Sequence, residues 1–304
     1  MKLPSTTRRK KFQQRILAWF AAHQRDLPWR KTRDPYRILV SEIMLQQTQV
    51  SRVIPRYFAF LQEFPTVRAL AAAPRSSVLR QWSGLGYNRR AINLQRSAQE
   101  LVREYKGKFP ADVELLEALP GIGPYTARAV AAFAFEISVA MVDTNVERVL
   151  TRFFVGLDTQ PKLSTKEMAV LAASVLPSTQ AWKWGHAMMD FGATVCIARD
   201  PLCETCPLRN TCQAFPQIQK LRQQGKALPR TKRPASPFHD SSRFYRGRIV
   251  ALLTVEAMSA AQLFRHIQKS YPKAERTRFT TALDALGKER IVERVKGRLR
   301  LRDS

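Results

Sequence analysis

Over about the first 215 residues, apolar side chains recur at the 3.6-residue spacing of α-helices, and the two-residue alternation of strands is absent. That pattern restricts this part of the chain to an all-helical fold. Phe12, Ile16, Leu17, Trp19 and Phe20 form the first stripe, within Lys11–Ala22. Asp34-Pro35 predicts the start of a helix through Val50, followed by Pro55–Phe64, and Pro65 stops that run. Further helices are predicted over Ser76–Trp82, Arg89–Tyr105, Asp112–Ala118, Tyr125–Phe135, Val146–Phe154, Thr165–Val175 and Trp182–Phe191. From about Ala214 to Arg243 Gln, basic residues and four prolines replace the apolar period, which reads as a linker. Phe244–Val255, Ala260–Tyr271 and Glu275–Lys288 then read as three short helices, and Ile291–Arg302 alternates around Lys296-Gly297 as a hairpin. Three helices and a hairpin suggest a winged-helix-like module. The expected organisation is a helical core over 1–195, a cysteine loop over 196–212, a basic linker over 213–242 and a winged-helix-like domain over 243–304.

The four cysteines all fall within Cys196–Cys212, spaced C-x6-C-x2-C-x5-C: Cys196, Cys203, Cys206 and Cys212. Four clustered soft thiolates suit zinc or an iron–sulfur cluster better than disulfides, and the spacing alone leaves both open. The loop Ile197–Leu202 carries Arg199, placed to meet a phosphate.

Charge narrows the partner. Of the 304 residues, 51 are Lys or Arg and 24 Asp or Glu, a net charge of +27, while 45% are apolar. The apolar fraction excludes a disordered polycation, so nucleic acid is the expected partner of a globular protein. The longest apolar run, Ala129–Met141, is interrupted by Glu136 and Ser138, so no membrane helix is expected. The basic N-terminus runs into an amphipathic helix without a signal-peptide core, so the expected location is cytoplasmic, at the nucleoid in a prokaryote. A structural DNA binder and a DNA enzyme both remain open on charge alone.

Two carboxylates stand out. Glu42 shares a helix face with Ile38, Leu39 and Leu45, and burial there raises a carboxyl pKa toward that of a general acid. The alternative is an edge residue paired with an arginine. Asp143 precedes a helix, where it serves as an N-cap and the helix dipole keeps it ionised. Thr144 and Glu147 form a competing capping box.

Four segments carry a resemblance. The cysteine spacing, Leu119-Pro120-Gly121-Ile122-Gly123-Pro124-Tyr125-Thr126, Met141-Val142-Asp143-Thr144-Asn145-Val146, and Leu27-Pro28-Trp29-Arg30 with Ser41–Val50 occur in that family's order. The chain resembles the helix-hairpin-helix, endonuclease III superfamily of DNA repair enzymes, and most particularly the A/G-specific adenine glycosylases (the MutY family), over roughly residues 10–213. The resemblance implies a mainly α helix-hairpin-helix glycosylase fold of two helical lobes, with the four cysteines holding a [4Fe–4S] cluster. It implies that Glu42 protonates the adenine ring, that Asp143 faces the oxocarbenium-like sugar, and that Asn145 helps position them. Bifunctional relatives carry Lys where Tyr125 stands, so a monofunctional enzyme without strong lyase activity is expected. Gly121 and Gly123 would offer backbone N–H groups to a DNA phosphate through a monovalent cation. Gln46, Gln47, Thr48 and Tyr87 would enter the duplex around the flipped base, and Trp29 and Arg30 would line the base pocket.

Three positions depart from the pattern. His186 stands where adenine glycosylases place Gln or Glu to read the adenine edge; a solvated helix histidine is the plain alternative. Asn88 replaces a second Tyr. The C-terminal Nudix-like domain is expected to be absent, since about 60 residues follow the linker, too few for that fold. The tail instead carries basic residues, among them Arg243, Arg246, Arg290 and Arg298, which suit a second DNA contact. The expected function is hydrolysis of the N-glycosidic bond of adenine mispaired with 8-oxoguanine or guanine, by a monomer acting on double-stranded DNA. The rivals are a thymine/uracil glycosylase acting on G mismatches, which His186 keeps open, and a non-catalytic DNA-binding protein.

Overall fold

The computed structural model describes residues 3–157, 163–228 and 238–303. In chain order its helices are α1 Thr6–His23, α2 Pro35–Leu45, α3 Val50–Glu63, α4 Val67–Ala72, α5 Arg75–Gln81, α6 Arg89–Tyr105, α7 Val113–Glu117 and α8 Pro124–Phe135. They continue with α9 Thr144–Phe154, α10 Thr165–Ser174, α11 Ala181–Thr194, α12 Phe215–Gln223, α13 Ser242–Leu253, α14 Ala260–Ser270 and α15 Arg276–Lys288, and β1 Val292–Val295 with β2 Arg298–Leu301 closes the series. The fold is mainly α, as the period required. No helix among the described residues is long and apolar enough to cross a membrane.

The chain forms two compact units, one of Met1–Ile38, Ala111–Glu117 and Gly123–Arg233, the other of Leu39–Pro110, Ala118–Ile122 and Pro234–Ser304. In the first, α1 places Phe12, Ile16 and Phe20 one turn apart, so all three share one face. They pack against Val149, Leu150 and Phe153 of α9 and Trp184 and Phe191 of α11. The Phe12 ring lies 4.6 Å from Phe153 and 5.7 Å, edge-on, from Trp184. Truncating such a ring costs about 3–5 kcal/mol. α1 begins five residues before the expected Lys11, because the Ser5 hydroxyl accepts from the Arg8 amide and caps it.

In the second unit, Val53, Tyr57 and Phe60 of α3 line the core with Leu70 of α4, Leu79 of α5 and Leu94 and Leu101 of α6. Trp82 is fully buried, edge-on to Phe60 at 6.0 Å. The C-terminal part of this unit has the expected three helices and hairpin. β1 and β2 pair antiparallel with Val292 opposite Leu301 and Val295 opposite Arg298, and Met258 bridges to Leu299. Arg246 of α13 makes a two-pronged ion pair with Glu289 (2.8 and 2.6 Å), and the Tyr245 hydroxyl accepts from the Glu275 amide at 2.8 Å.

Three segments differ from the sequence expectation. The helix from Asp34-Pro35 ends at Leu45 rather than Val50, and a turn with Gln47 at φ 55° precedes α3, which carries Pro55 inside it. α4 is an added short helix, capped by the Thr66 hydroxyl. α12 lies inside the expected linker, where Pro216 starts the helix rather than breaking it and Ile218 packs on Cys203 and Ala214. Pro229, Pro234 and Pro237 of that linker lie outside the described residues.

Candidate active site

Asp143 caps α9. Its Oδ1 accepts from the Asn145 amide (2.9 Å) and the Val146 amide (2.7 Å), and its Oδ2 accepts from the Asn145 side-chain amide at 2.9 Å. The cap thus goes to Asp143 rather than to a Thr144–Glu147 box. Three N–H donors and the helix N-terminus thus face this carboxylate. Asn145 is held in turn: Arg148 Nη2 donates to its Oδ1 at 2.8 Å and to the Gly192 carbonyl at 2.6 Å, and Arg148 Nε donates to the Cys196 carbonyl at 2.7 Å. A Cβ on Gly192 would stand 2.6 Å from the Asn145 Cβ, so glycine lets the two helices approach closely. Tyr125, half-buried in the first turn of α8, donates its hydroxyl to the Met189 sulfur at 2.9 Å.

α11 supplies two further buried groups one turn apart. His186 is 3% exposed and stacks on Phe133, with centroids 4.0 Å apart and planes at 10°; Trp182 meets it edge-on at 5.2 Å. Neither ring nitrogen has a hydrogen-bond partner among the described residues. The plain alternative, a solvated helix histidine, is thereby set aside. Burial first, then the nearby Arg30 charge, holds its pKa well below the usual histidine value. The ring is therefore neutral near pH 7, with one N–H donor and one acceptor nitrogen.

Asp190 is fully buried and binds two arginines. Arg30 makes a two-pronged pair with it (2.7 and 2.8 Å), and Arg25 Nε donates to its Oδ1 at 2.7 Å. Burial pushes this carboxyl up, but the hydrogen bonds from Arg30 and Arg25 outweigh it and leave the pKa below the usual aspartate value. The structure thus places the Arg30 guanidinium on Asp190, a partner that sequence reasoning missed; Trp29 beside it is buried. Two arginines facing one acidic residue 160 or more positions away leave no trace in a local window.

In the other unit Glu42 is buried on α2, 6% exposed among Ile38, Leu39 and Ile43 in the sequence of that helix. The carboxyl end of α2 is gathered by one side chain. Arg90 donates to the carbonyls of Ile43 (2.8 Å), Met44 (3.1 Å) and Gln46 (2.5 Å), to the Thr48 hydroxyl (3.2 Å), and to the carbonyls of Leu85 (3.0 Å) and Gly86 (3.2 Å). Burial lowers its pKa to about 10, so it stays cationic at neutral pH. Arg90 therefore ends the Glu42 helix early, shapes Gln46–Thr48 and fastens the Gly84–Tyr87 loop to it. The Arg89-Arg90 pair in the sequence gave no sign of this, because an arginine opening an amphipathic helix looks like solvated charge. Gln47 is exposed, and Tyr87 is 37% exposed with φ 49°, directly after Gly86, which takes positive φ as Gly84 does.

The hairpin glycines sit between α7 and α8. Gly121 has φ 77°, and a Cβ there would stand 2.5 Å from the Asn93 Cβ, so no other residue fits without displacement. Gly123 precedes Pro124 at the start of α8. Arg199 is exposed in its loop.

The four cysteines line a single cavity with Arg152 and Arg209 among its walls. Arg152, almost fully buried, donates to the carbonyls of Ile197 and Ala198 at 2.8 Å each and approaches the Cys196 sulfur at 3.8 Å. The Cys212 thiol donates to the Arg152 carbonyl at 3.3 Å. Burial pushes the Cys203 thiol to about 11 and the Cys206 thiol to about 12, and raises Cys212. Among the described residues no three donors converge as a single-ion site. Four thiols lining one cavity beside the Arg152 guanidinium offer the soft donor set that a group ligated at four corners takes.

Comparison with known proteins identifies relatives of this chain. The family model described as HhH-GPD superfamily base excision DNA repair protein matches residues 40–173. The chain is 40% identical over 279 residues to an adenine DNA glycosylase of Mycolicibacterium smegmatis, covering 91% of each. It is 38% identical over 219 residues to the adenine DNA glycosylase of Homo sapiens, covering 69% of this chain and 40% of that protein. Among solved structures, a thermostable thymine-DNA glycosylase is 33% identical with a TM-score of 0.66, covering 69% of this chain and 98% of that one.

Proposed function

The chain belongs to the adenine DNA glycosylase family of the HhH-GPD superfamily of base excision DNA repair proteins, and on that premise we propose that it excises adenine mispaired with 8-oxoguanine or guanine in double-stranded DNA. The reaction is hydrolysis of the N-glycosidic bond, leaving an abasic site. The observation that carries this reading is Asp143, a carboxylate with both oxygens engaged by N–H donors at a helix start.

Glu42, a buried carboxyl, donates a proton to the adenine ring. The bond from C1′ to the base then breaks, and its electron pair leaves with the protonated base. Asp143 stabilises the positive charge that develops on the sugar, in the manner of glycoside hydrolysis. Water adds to C1′ and passes a proton to the Glu42 carboxylate, which completes the abasic sugar and restores the acid. Tyr125 has no amine for a Schiff base, so the strand stays intact. Neutral His186, with one donor and one acceptor beside the rings of Phe133 and Trp182, matches the acceptor and donor that an adenine edge presents. In this reading Trp29 and Arg30 line the base pocket, and Arg30 is also fastened to Asp190 of α11.

Gln46, Gln47, Thr48 and Tyr87 enter the opened duplex, and Gly121, Gly123 and Arg199 meet phosphate, with a monovalent cation at the hairpin. Cys196, Cys203, Cys206 and Cys212 hold a [4Fe–4S] cluster that fastens the Arg199 loop. The division into a core over 1–195, cluster loop over 196–212, linker over 213–242 and winged-helix-like domain over 243–304 completes the proposal, with a monomer as the acting species.

A panel of duplexes bearing A:8-oxoG, A:G, T:G and U:G, incubated with the protein and then heated in alkali, tests the reading. Cleavage at adenine supports it. Release of thymine or uracil without adenine would assign the chain the chemistry in the name of the thymine-DNA glycosylase that it resembles.

A further inference from the structure

Tyr87 is gripped from the C-terminal part of its own unit. Arg243, in the first turn of α13, donates Nη1 to the Tyr87 hydroxyl, and its guanidinium carbon lies 5.3 Å from the Tyr87 ring centroid. The Arg90 guanidinium lies 5.5 Å from the same centroid. Tyr87 needs such support, because a non-glycine residue at φ 49° is uncommon and persists where its surroundings over-determine it. The ring is still 37% exposed, so part of it is open to a stacking partner. Two further contacts bring the same part of the unit against α5. The Ser76 amide donates to Asp303 Oδ1 at 3.1 Å, and Arg75 Nη1 donates to the Arg290 carbonyl at 3.4 Å. Arg243 itself is positioned at the start of α13, which Ser241 caps through the Phe244 amide.

We propose that Arg243 is a positioning residue for Tyr87, and that through it the winged-helix-like module takes part in telling a mispair from a matched pair. A cation bonded to the hydroxyl and lying over the ring fixes where the aromatic face points, and a stacking group discriminates only when its plane is preset. This rests on the reading that Tyr87 enters the duplex. Arg243 then differs from the other arginines of the tail, whose charge would serve phosphate without regard to sequence.

The test uses the full chain and fluorescein-labelled duplexes holding uncleavable 2′-fluoro-2′-deoxyadenosine opposite 8-oxoguanine or opposite thymine. Discrimination is the ratio of the two dissociation constants for wild type, Arg243→Ala, Tyr87→Phe and the double variant. Arg243→Ala is expected to lose about tenfold of that ratio while binding of the matched duplex changes less than about threefold. Tyr87→Phe, which keeps the ring but removes the accepting hydroxyl, gives a similar loss, and the double variant adds little to either. An equal loss on both duplexes, removed by raising salt, would make Arg243 a phosphate contact and overturn the proposal. So would additive losses in the double variant, or an unchanged ratio in both single variants. A wild-type protein that does not discriminate at all would overturn the proposed function with it.

Discussion

Asp143 and Glu42 are carboxyls in opposite settings. Asp143 stands at the first turn of α9 with amide hydrogens on both oxygens, while Glu42 lies inside α2, buried in an apolar stretch. The first carboxyl is surrounded by N–H donors at a helix start and the second lies on a buried helix face, and the proposed reaction assigns its negative charge to the first and its proton to the second. Their supports differ as well. Asp143 is held locally, by residues two and three positions on, and then by Arg148. The Glu42 helix is finished by Arg90, more than forty residues away in sequence.

The strongest way to break the comparison is Glu42→Gln. It removes the proton but keeps the shape, so excision of adenine should fall by about 10²–10⁴-fold while duplex binding is retained. Unchanged excision by single-turnover kinetics would take Glu42 out of the acid role. Asp143→Asn separates charge from capping. Asn caps about as well as Asp, so the thermal midpoint should hold while excision falls about 10²-fold or more. A lower melting temperature with excision retained would leave Asp143 a cap alone.

The smallest effect concerns His186. Its folded pKa lies below the value near 6.5 that it has when unfolded, so below that pH the unfolded chain binds a proton that the folded chain excludes. Stability is therefore fully present above pH 6.5 and declines as pH falls, by up to about 1.4 kcal/mol per pH unit from this group. Thermal melts between about pH 7.5 and 5.5 should show a steeper loss for the wild type than for His186→Gln. Parallel curves would mean that His186 is protonated or solvated in the folded chain.

Much of this was legible in the sequence, for a definite reason. Helical period reports which face of a segment is apolar, so α6, α9 and α11 emerge near their observed limits. Cap chemistry is local, so Asp143 is legible at its position. The cysteine spacing singles out four residues that line one cavity in the fold. What stayed hidden is the pairing of charged groups across the chain. Half-buried Arg90 and buried Asp190 and Arg152 are held by partners far away in sequence, and a window of neighbours cannot distinguish such an arginine from a solvated one. The turn after Leu45 was hidden for the same cause, since Arg90 collects the carbonyls that would have continued the helix. His186 showed its type but neither its burial nor its stacking on Phe133.

The most direct test of the account is the fate of an A:8-oxoG duplex incubated with the full chain in two parallel reactions, one without borohydride and then heated in alkali, the other with sodium borohydride to trap any Schiff base. Hydrolysis driven by two carboxyls, with tyrosine where a lyase has lysine, predicts free adenine, a strand that stays whole until heated in alkali, and no protein bound to DNA. A strand cut before alkali together with a borohydride-trapped protein–DNA adduct would contradict it.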